Sequence, residues 1–359
     1  INGAYYSLES LERAVQDSDN NYTRFICITK PLEIYPGANK TSFMCTTDHT
    51  PGSLYKVLSA IKDSNYIPNN SARDLVRTKS DAIGLVVRGV SNPFYTDIIR
   101  TIESTITDAG FTMVMQQIGA CDDEVKCGAV MEREKRLRGI IFLGGRFDYT
   151  PADLALLNVP FVCCSYSNRY GTLTEGEYSS VSIADGDTAQ QAVEELYRHG
   201  HRRIAALISR PNDQSISQLR YEGYIQALEA HGIPVDPDLV ICTGGFGAKD
   251  AYRAVQEKMA ENVDFTALFA IADSMAIGAM RALMDAGRRI PEDCSVIAID
   301  GLELSAYIEP PLTTLCQPME EMGRRSAEIL LDMVRHKGSH ACELLPTTLR
   351  QGRSVAAPR

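Results

Sequence analysis

The sequence predicts an α/β chain built from two doubly wound parallel sheets, and three observations carry that expectation. From residue 82 onward, short β-rich runs alternate with helical patterns, as in parallel strands joined by crossover helices. About ten such units follow one another, more than one ordinary doubly wound sheet holds. The 359 residues, 44% of them hydrophobic, supply enough material for two cores.

The expected strands, in order, are Ala82 to Val87, Phe111 to Gln116, Gly139 to Leu143, Phe161 to Ser165, Val181 to Ala184, Ile204 to Ser209, Leu239 to Cys242, Ala267 to Ala272, Ser295 to Ile299 and Leu312 to Gln317. The helical stretches between them are Phe94 to Ala109, Thr188 to His199, Ser217 to His231, Ala248 to Ala260, Ser274 to Ala286 and Met319 to His336. Several end at a glycine (Gly110, Gly200, Gly232, Gly287), which can adopt the left-handed conformation that stops a helix. Two similar lobes then divide near Ser179. Ligands of such folds sit at the carboxyl ends of strands, here in the cleft between lobes.

Residues 1–53 differ in character: they show no sustained period, are broken by Asn20-Asn21, Pro36-Gly37 and Pro51-Gly52, and receive no fold assignment. From Leu54 to Asn65 the pattern turns helical, with Leu54, Val57, Leu58 and Ile61 on one face, and Pro68 ends it. Asn69 to Val76 then reads as a linker in which Asn or Ser can cap a short helix.

Charge is uneven along the chain. The 36 basic and 46 acidic residues leave a net −10, which argues against general coating of nucleic acid or of an anionic membrane. Residues 54–80 run the other way, with Lys56, Lys62, Arg73, Arg77 and Lys79 against Asp63 and Asp74. A basic head on an acidic body is compatible with localised DNA binding.

Several classes are set aside. No run of 18 apolar residues appears, and the first 30 residues lack the pattern of an export signal, so a cytoplasmic location without membrane association is expected. The ten cysteines are scattered, several inside apolar runs, like reduced core residues. Without a Cys-x-x-Cys pair or a histidine ligand spacing, no metal site is expected. No nucleophile-and-base constellation is visible, so neither catalysis nor a cofactor is expected. Gly244-Gly245-Phe246-Gly247 lacks the Lys and Ser/Thr of a phosphate loop and reads as a strand-to-helix turn.

A set of motifs then stands in order. Val57-Leu58-x-Ala60-Ile61-Lys62-x-x-Asn65-Tyr66-x-Pro68-Asn69 is followed by Ala72-Arg73-x-Leu75, and Ile83-Gly84-Leu85-Val86 by Ser91-Asn92-Pro93-Phe94-Tyr95. Further on come Gly200-His201-Arg202-Arg203-Ile204-Ala205, Arg220-x-Glu222-Gly223-Tyr224, Ala272-Asp273-x-Met275-Ala276-Ile277-Gly278, and Pro310-Pro311-Leu312-Thr313-Thr314 with Gln317-Pro318. Together they resemble the lactose-repressor and galactose-repressor (LacI/GalR) family of bacterial transcription regulators, from about residue 54 to the C-terminus. The resemblance implies a helix-turn-helix headpiece, of which residues 54–80 hold only a remnant, its third helix (Leu54 to Asn65), together with the hinge helix, then a two-lobed, periplasmic-binding-protein-like effector domain (81–359). It also implies a homodimer, operator DNA as partner and a small-molecule effector.

On that resemblance Asn69, Ala72, Arg73 and Leu75 are the DNA-binding candidates. Leu75 takes the place of the leucine that hinge helices push into the minor groove, Ala72 permits their close approach, and Arg73 can reach phosphate. The plainer reading of Leu75 is an apolar linker residue packed on a lobe. Residues 1–53 depart from the family: nothing there resembles Ala-Gly-Val-Ser-x-x-Thr-Val-Ser-Arg, and four basic against six acidic residues leave −2. Three origins stay open, namely a wrongly placed gene start, a real loss of the DNA-reading module, and a divergent replacement.

The family's cleft, carried over position by position, falls on Phe94 and Tyr95, Gly145, Ser165, Arg220, Phe246 and Asp273. Arg220 would donate, Asp273 accept from hydroxyls, and the aromatic rings offer faces to a sugar. Each has a plainer reading: core packing for Phe94 and Phe246, an inter-helix salt bridge for Arg220, a helix N-cap for Asp273. Many relatives carry Asp where Ser165 stands. A donor and acceptor without a second basic cluster point to a neutral sugar or glycoside. Asp273→Ala is expected to abolish effector binding and leave the fold intact. The expected function is a ligand-responsive regulator, in all expectation a repressor. The competing readings are a sugar sensor that has lost DNA binding and an exported solute-binding protein of the same fold.

Overall fold

The computed structural model describes residues 81–359, apart from 90, 91, 120, 121 and 337. The expected headpiece and hinge helices, and Asn69, Ala72, Arg73 and Leu75 with them, lie outside the described residues. In chain order the elements are β1 (Ala82–Arg88), α1 (Tyr95–Asp108), β2 (Thr112–Ile118), α2 (Glu124–Lys135), β3 (Gly139–Leu143), α3 (Pro151–Leu154), β4 (Phe161–Cys164), β5 (Ser180–Ile183), α4 (Asp185–Arg198), β6 (Ile204–Ile208), α5 (Ile216–Ala230) and β7 (Val240–Cys242). They continue with α6 (Ala248–Ala260), β8 (Ala267–Ala270), α7 (Asp273–Asp285), β9 (Ser295–Asp300), β10 (Thr313–Cys316), α8 (Met319–His336), β11 (Cys342–Leu345) and β12 (Thr348–Arg350).

Two six-stranded sheets result, with the same winding: β2-β1-β3-β4-β5-β11 and β7-β6-β8-β9-β10-β12. All neighbours are parallel except β10 and β12, which pair antiparallel with Leu315 opposite Leu349. The central strands read as unbroken apolar runs because both faces are covered. Ile83, Leu85 and Val87 of β1 enter one core, against Ile98, Ile102 and Ile106 of α1 and Met322 and Leu330 of α8. Ala82 and Val86 point the other way, toward Val125 and Met131 of α2. The second sheet has its own core, gathered around Phe265, Phe269 and Tyr224.

All ten expected strands are present within a residue or two of their expected ends. Gly110, Gly200, Gly232 and Gly287 stand at positive φ where helices stop. Helix α2 went unforeseen because half of Glu124–Lys135 is charged and the helix buries only a narrow strip, including Gly128 and Ala129. The edge strands β11 and β12 escaped because each is short and holds no fully buried residue, β11 alternating exposed with partly buried positions and β12 keeping only its last residue partly buried.

The division near Ser179 needs correction. Strand β5 still pairs with β4, Cys163 opposite Ser180, so the chain leaves the first lobe only at Ala184. It returns at Gln317-Pro318, since α8 packs beside α1 and under β3 and β4, and β11 joins β5. It crosses once more between β11 and β12. Neither lobe is a continuous stretch of sequence, and three strands of chain form the hinge. Among the described residues no helix is long and apolar enough to cross a membrane.

Candidate functional site

Both sheets turn their carboxyl ends toward the same cleft, so the side chains that follow β1, β3, β4, β8, β9 and β10 meet there. In the second lobe the centre of that meeting is Arg220, on the first half of α5 and only 2% exposed. Its Nε donates to Asp185 Oδ1 at 2.9 Å, and its Nη1 donates to the Ile271 carbonyl and to Asp300 Oδ1 at 3.3 Å. Asp185 opens α4, so the inter-helix salt bridge read from the sequence is present. Gln317 Nε2 donates to the same Asp300 oxygen at 2.8 Å.

One carboxylate oxygen thus receives two donors, while neighbouring atoms receive none. Arg220 Nη2, Asp300 Oδ2 and Gln317 Oε1 are buried without a hydrogen-bond partner. Unpartnered buried polar atoms cost about 1–3 kcal/mol each, so three on one cluster mark an unfinished site. Asp300 also holds φ at 136°, a strained backbone for a side-chain-bearing residue, as is common at sites. Burial pushes Asp300 up to about 7, Arg220 opposing and Asp273 reinforcing. Burial likewise raises Asp185, against the pull of Arg220. Burial works against the charge of Arg220, but Asp185 and Asp300 outweigh it and hold the guanidinium above its usual value.

Asp273 has a different post from the one expected. It is fully buried at the first position of α7, where Ala272 is the N-cap, and so caps nothing. Its Oδ2 accepts from Leu302 N at 2.8 Å and Ser305 Oγ at 2.6 Å, its Oδ1 from Thr314 Oγ1 at 2.6 Å. Arg350 adds bonds to the Leu302 carbonyl and to Ser305 Oγ. Together they clamp the loop after β9, whose Leu302 is inserted into the core of the first lobe. The carboxylate is occupied by the protein's own donors, which corrects both the ligand-contact and the N-cap readings.

The first-lobe wall is built around Arg88, the last residue of β1, and Glu124, the first of α2. Glu124 is fully buried; its Oε1 accepts from Arg146 N at 2.6 Å and from the Tyr149 hydroxyl, and its Oε2 lies 3.5 Å from Arg88 Nη1. Burial raises its pKa, with Arg88 opposing. Gly145 leaves the space this carboxylate needs, because a Cβ there would stand 2.7 Å from Glu124 Oε1. At Gly144 a Cβ would stand 2.6 Å from the Tyr95 hydroxyl. Burial drives the Tyr95 phenol upward, and the charges of Asp300, Arg220 and Arg88 all act on it, so this ring stands between the two lobes' polar clusters.

Of the seven expected cleft residues, Tyr95 and Arg220 act on one another electrostatically, while Gly145 abuts Glu124 on the first-lobe wall. Phe94 is 3% exposed and packs in the first core, as its plainer reading had it. Phe246 sits half-buried on the turn between β7 and α6, packed on the second core, and its carbonyl accepts from Ser274 Oγ at 2.7 Å. Ser165 is buried just past β4 at φ 55°. Sequence reasoning missed Asp185, Asp300, Gln317 and Glu124. The first three each end a strand or follow one within two residues, a signal that was available; Glu124 lies in a polar helix and gave none. A pocket of about 530 Å³ shares Asp185 with the cluster but is lined otherwise by the loop after β4, α4, α5 and β11. Among the described residues no group of three or more His, Cys, Asp or Glu could hold a metal ion.

Residues 193–355 match the family model described as periplasmic binding protein-like domain. The chain is 37% identical over 298 residues to the HTH-type transcriptional regulator MalR of Clostridium butyricum, covering 82% of this chain and 88% of that protein. It is 31% identical over 296 residues to the HTH-type transcriptional repressor CytR of Escherichia coli K12, covering 81% and 85%. Among solved structures it is similar to the transcriptional regulator CelR–cellobiose complex, with a TM-score of 0.68, 30% identity and coverage of 85% and 91%. It is also similar to the lac repressor dimer bound to operator and the anti-inducer ONPF, with a TM-score of 0.71, 26% identity and coverage of 86% and 92%. With this fold, these relatives and the ordered motifs in agreement, the chain belongs to the LacI family of ligand-responsive, DNA-binding transcription regulators.

Proposed function

We propose that this chain is a cytoplasmic, homodimeric repressor that binds operator DNA and senses a neutral sugar or glycoside between its lobes. Tyr95, Arg220, Asp300 and Gln317 hold the ligand, with Ser165 and Phe246 at the margins. The observation that carries the reading is the trio of unused buried atoms, Arg220 Nη2, Asp300 Oδ2 and Gln317 Oε1. One is a donor and two are acceptors, and hydroxyls, which both donate and accept, complete such a set. An anion would meet Asp300 and a cation would meet Arg220, so a neutral polyol suits the cluster best. The CelR relative captured with cellobiose supports the same chemical class.

Asp185 and Gln317 flank two of the three hinge crossings, so a ligand bound to this cluster biases how the lobes close. A second reading, a sugar sensor that no longer reads DNA, draws on residues 1–53, with their net −2 and no recognition motif. Two measurements test the proposal. Isothermal titration with glucose, maltose and cellobiose is expected to give saturable binding to at least one; binding to none refutes the ligand class. Fluorescence anisotropy with DNA from the gene's upstream region, at low and moderate salt, is expected to show salt-sensitive binding to a palindromic site. Its absence in a folded, sugar-binding protein would favour the second reading.

A further inference from the structure

Among the described residues of the first lobe, Glu124 Oε2 is the one buried side-chain nitrogen or oxygen without a hydrogen-bond partner. The other oxygen of this carboxylate already serves Arg146 N and the Tyr149 hydroxyl. A glutamine would satisfy those two donors equally well through its carbonyl oxygen. A buried negative charge is costly, and the packing of α2 against β1 and β3 gives no reason to keep it. What distinguishes the carboxylate is its second oxygen, which stands beside Arg88 at the carboxyl end of β1. The wall is continuous from there: Gly145 abuts Glu124, Gly144 abuts the Tyr95 hydroxyl, and Tyr95 feels the charges of Arg88, Arg220 and Asp300 alike.

Resting on the ligand site proposed above, we infer that Glu124 is a specificity-determining residue of the first lobe, its Oε2 accepting a hydrogen bond from a ligand hydroxyl while Arg88 donates to the same end. Each lobe then presents an arginine–carboxylate pair with one unused carboxylate oxygen, Arg88–Glu124 on one side and Arg220–Asp300 on the other. The ligand class that matches is a neutral carbohydrate with hydroxyls at both ends. A sugar lacking a hydroxyl at the first-lobe end leaves Glu124 unpaired and is rejected, because a buried acceptor left without its donor costs more than a lost surface bond.

The test is titration calorimetry of wild type and Glu124→Gln with glucose, maltose and cellobiose, alongside thermal melts. Glutamine keeps the acceptor toward Arg146 and Tyr149 but turns the free oxygen into a donor. The expected result is a Kd raised roughly 10- to 100-fold for the sugar that wild type binds. A merely structural Glu124 would lower the melting temperature and leave Kd within threefold, and that outcome overturns the inference. Arg88→Gln, which leaves every bond of Glu124 Oε1 in place, is expected to weaken the same sugar and decides the matter should Glu124→Gln fail to fold. Wild type binding none of the three sugars would refute the ligand reading itself, and the assignment of Glu124 falls with it.

Discussion

Replacing Arg220 by methionine removes the one cation shared by Asp185 and Asp300, and the structure sets the size of the effect. The guanidinium and both carboxylates are each at most 3% exposed, so solvent cannot take over its role. Its own desolvation cost disappears with it, which tempers the loss, but two buried anions remain. Breaking a buried ion pair in this way costs about 3–5 kcal/mol. For a domain of this size that is a fall in Tm of about 6–15 °C. The assay is differential scanning calorimetry of wild type and variant at pH 8 and at pH 5. Burial already raises both carboxylates with Arg220 present, and without it they rise further. At pH 5 Asp300 then carries its proton, so the deficit shrinks there. A fall under about 2 °C at pH 8, or an equal fall at both pH values, would refute the electrostatic account and leave Arg220 as a packing residue.

Two further outcomes follow from the same cluster. Asp273→Ala strands three donors, Leu302 N, Ser305 Oγ and Thr314 Oγ1, and should destabilise the protein by about 2–4 kcal/mol, contrary to the intact fold expected from sequence alone. Chemical denaturation measures it, and an unchanged midpoint would return Asp273 to the ligand. Asp300, raised to about 7, binds its proton more tightly folded than unfolded, so its stabilising contribution is complete below about pH 4 and is lost as pH rises through 7. Ligand affinity runs the opposite way, because the acceptor is lost as pH falls below 7. Melts and titrations of wild type and Asp300→Asn from pH 6 to 8 should show both trends in wild type and neither in the variant.

Much of the fold was legible because parallel strands covered on both faces must be apolar throughout, as Ala82–Arg88 and Ser295–Asp300 are. The cleft was legible only in part. Motif positions located Tyr95 and Arg220, but a motif does not reveal who else occupies a side chain. Asp273 stands where a ligand carboxylate was expected, yet three protein donors consume it, and those donors lie 29 to 41 residues away in sequence. Glu124 was invisible for a related reason. Its partners come from β1 and from the segment after β3, so neither charge pattern nor periodicity in α2 announces a buried acid.

The interleaving of the lobes bears on how the protein is made. A ribosome delivers β1 to β5 long before it delivers residues 319–345, yet α8 and β11 cover one face and one edge of that first sheet. Until then Ile83, Leu85 and Val87 have only α1 for cover on that side, and β5 has an open edge. The nascent first lobe is therefore a sticky intermediate until residues 319–345 arrive, an obvious client for a holding chaperone. A nonsense mutation just before Cys342 would cost both lobes at once, since β11 and β12 close the two sheets within a few residues of each other.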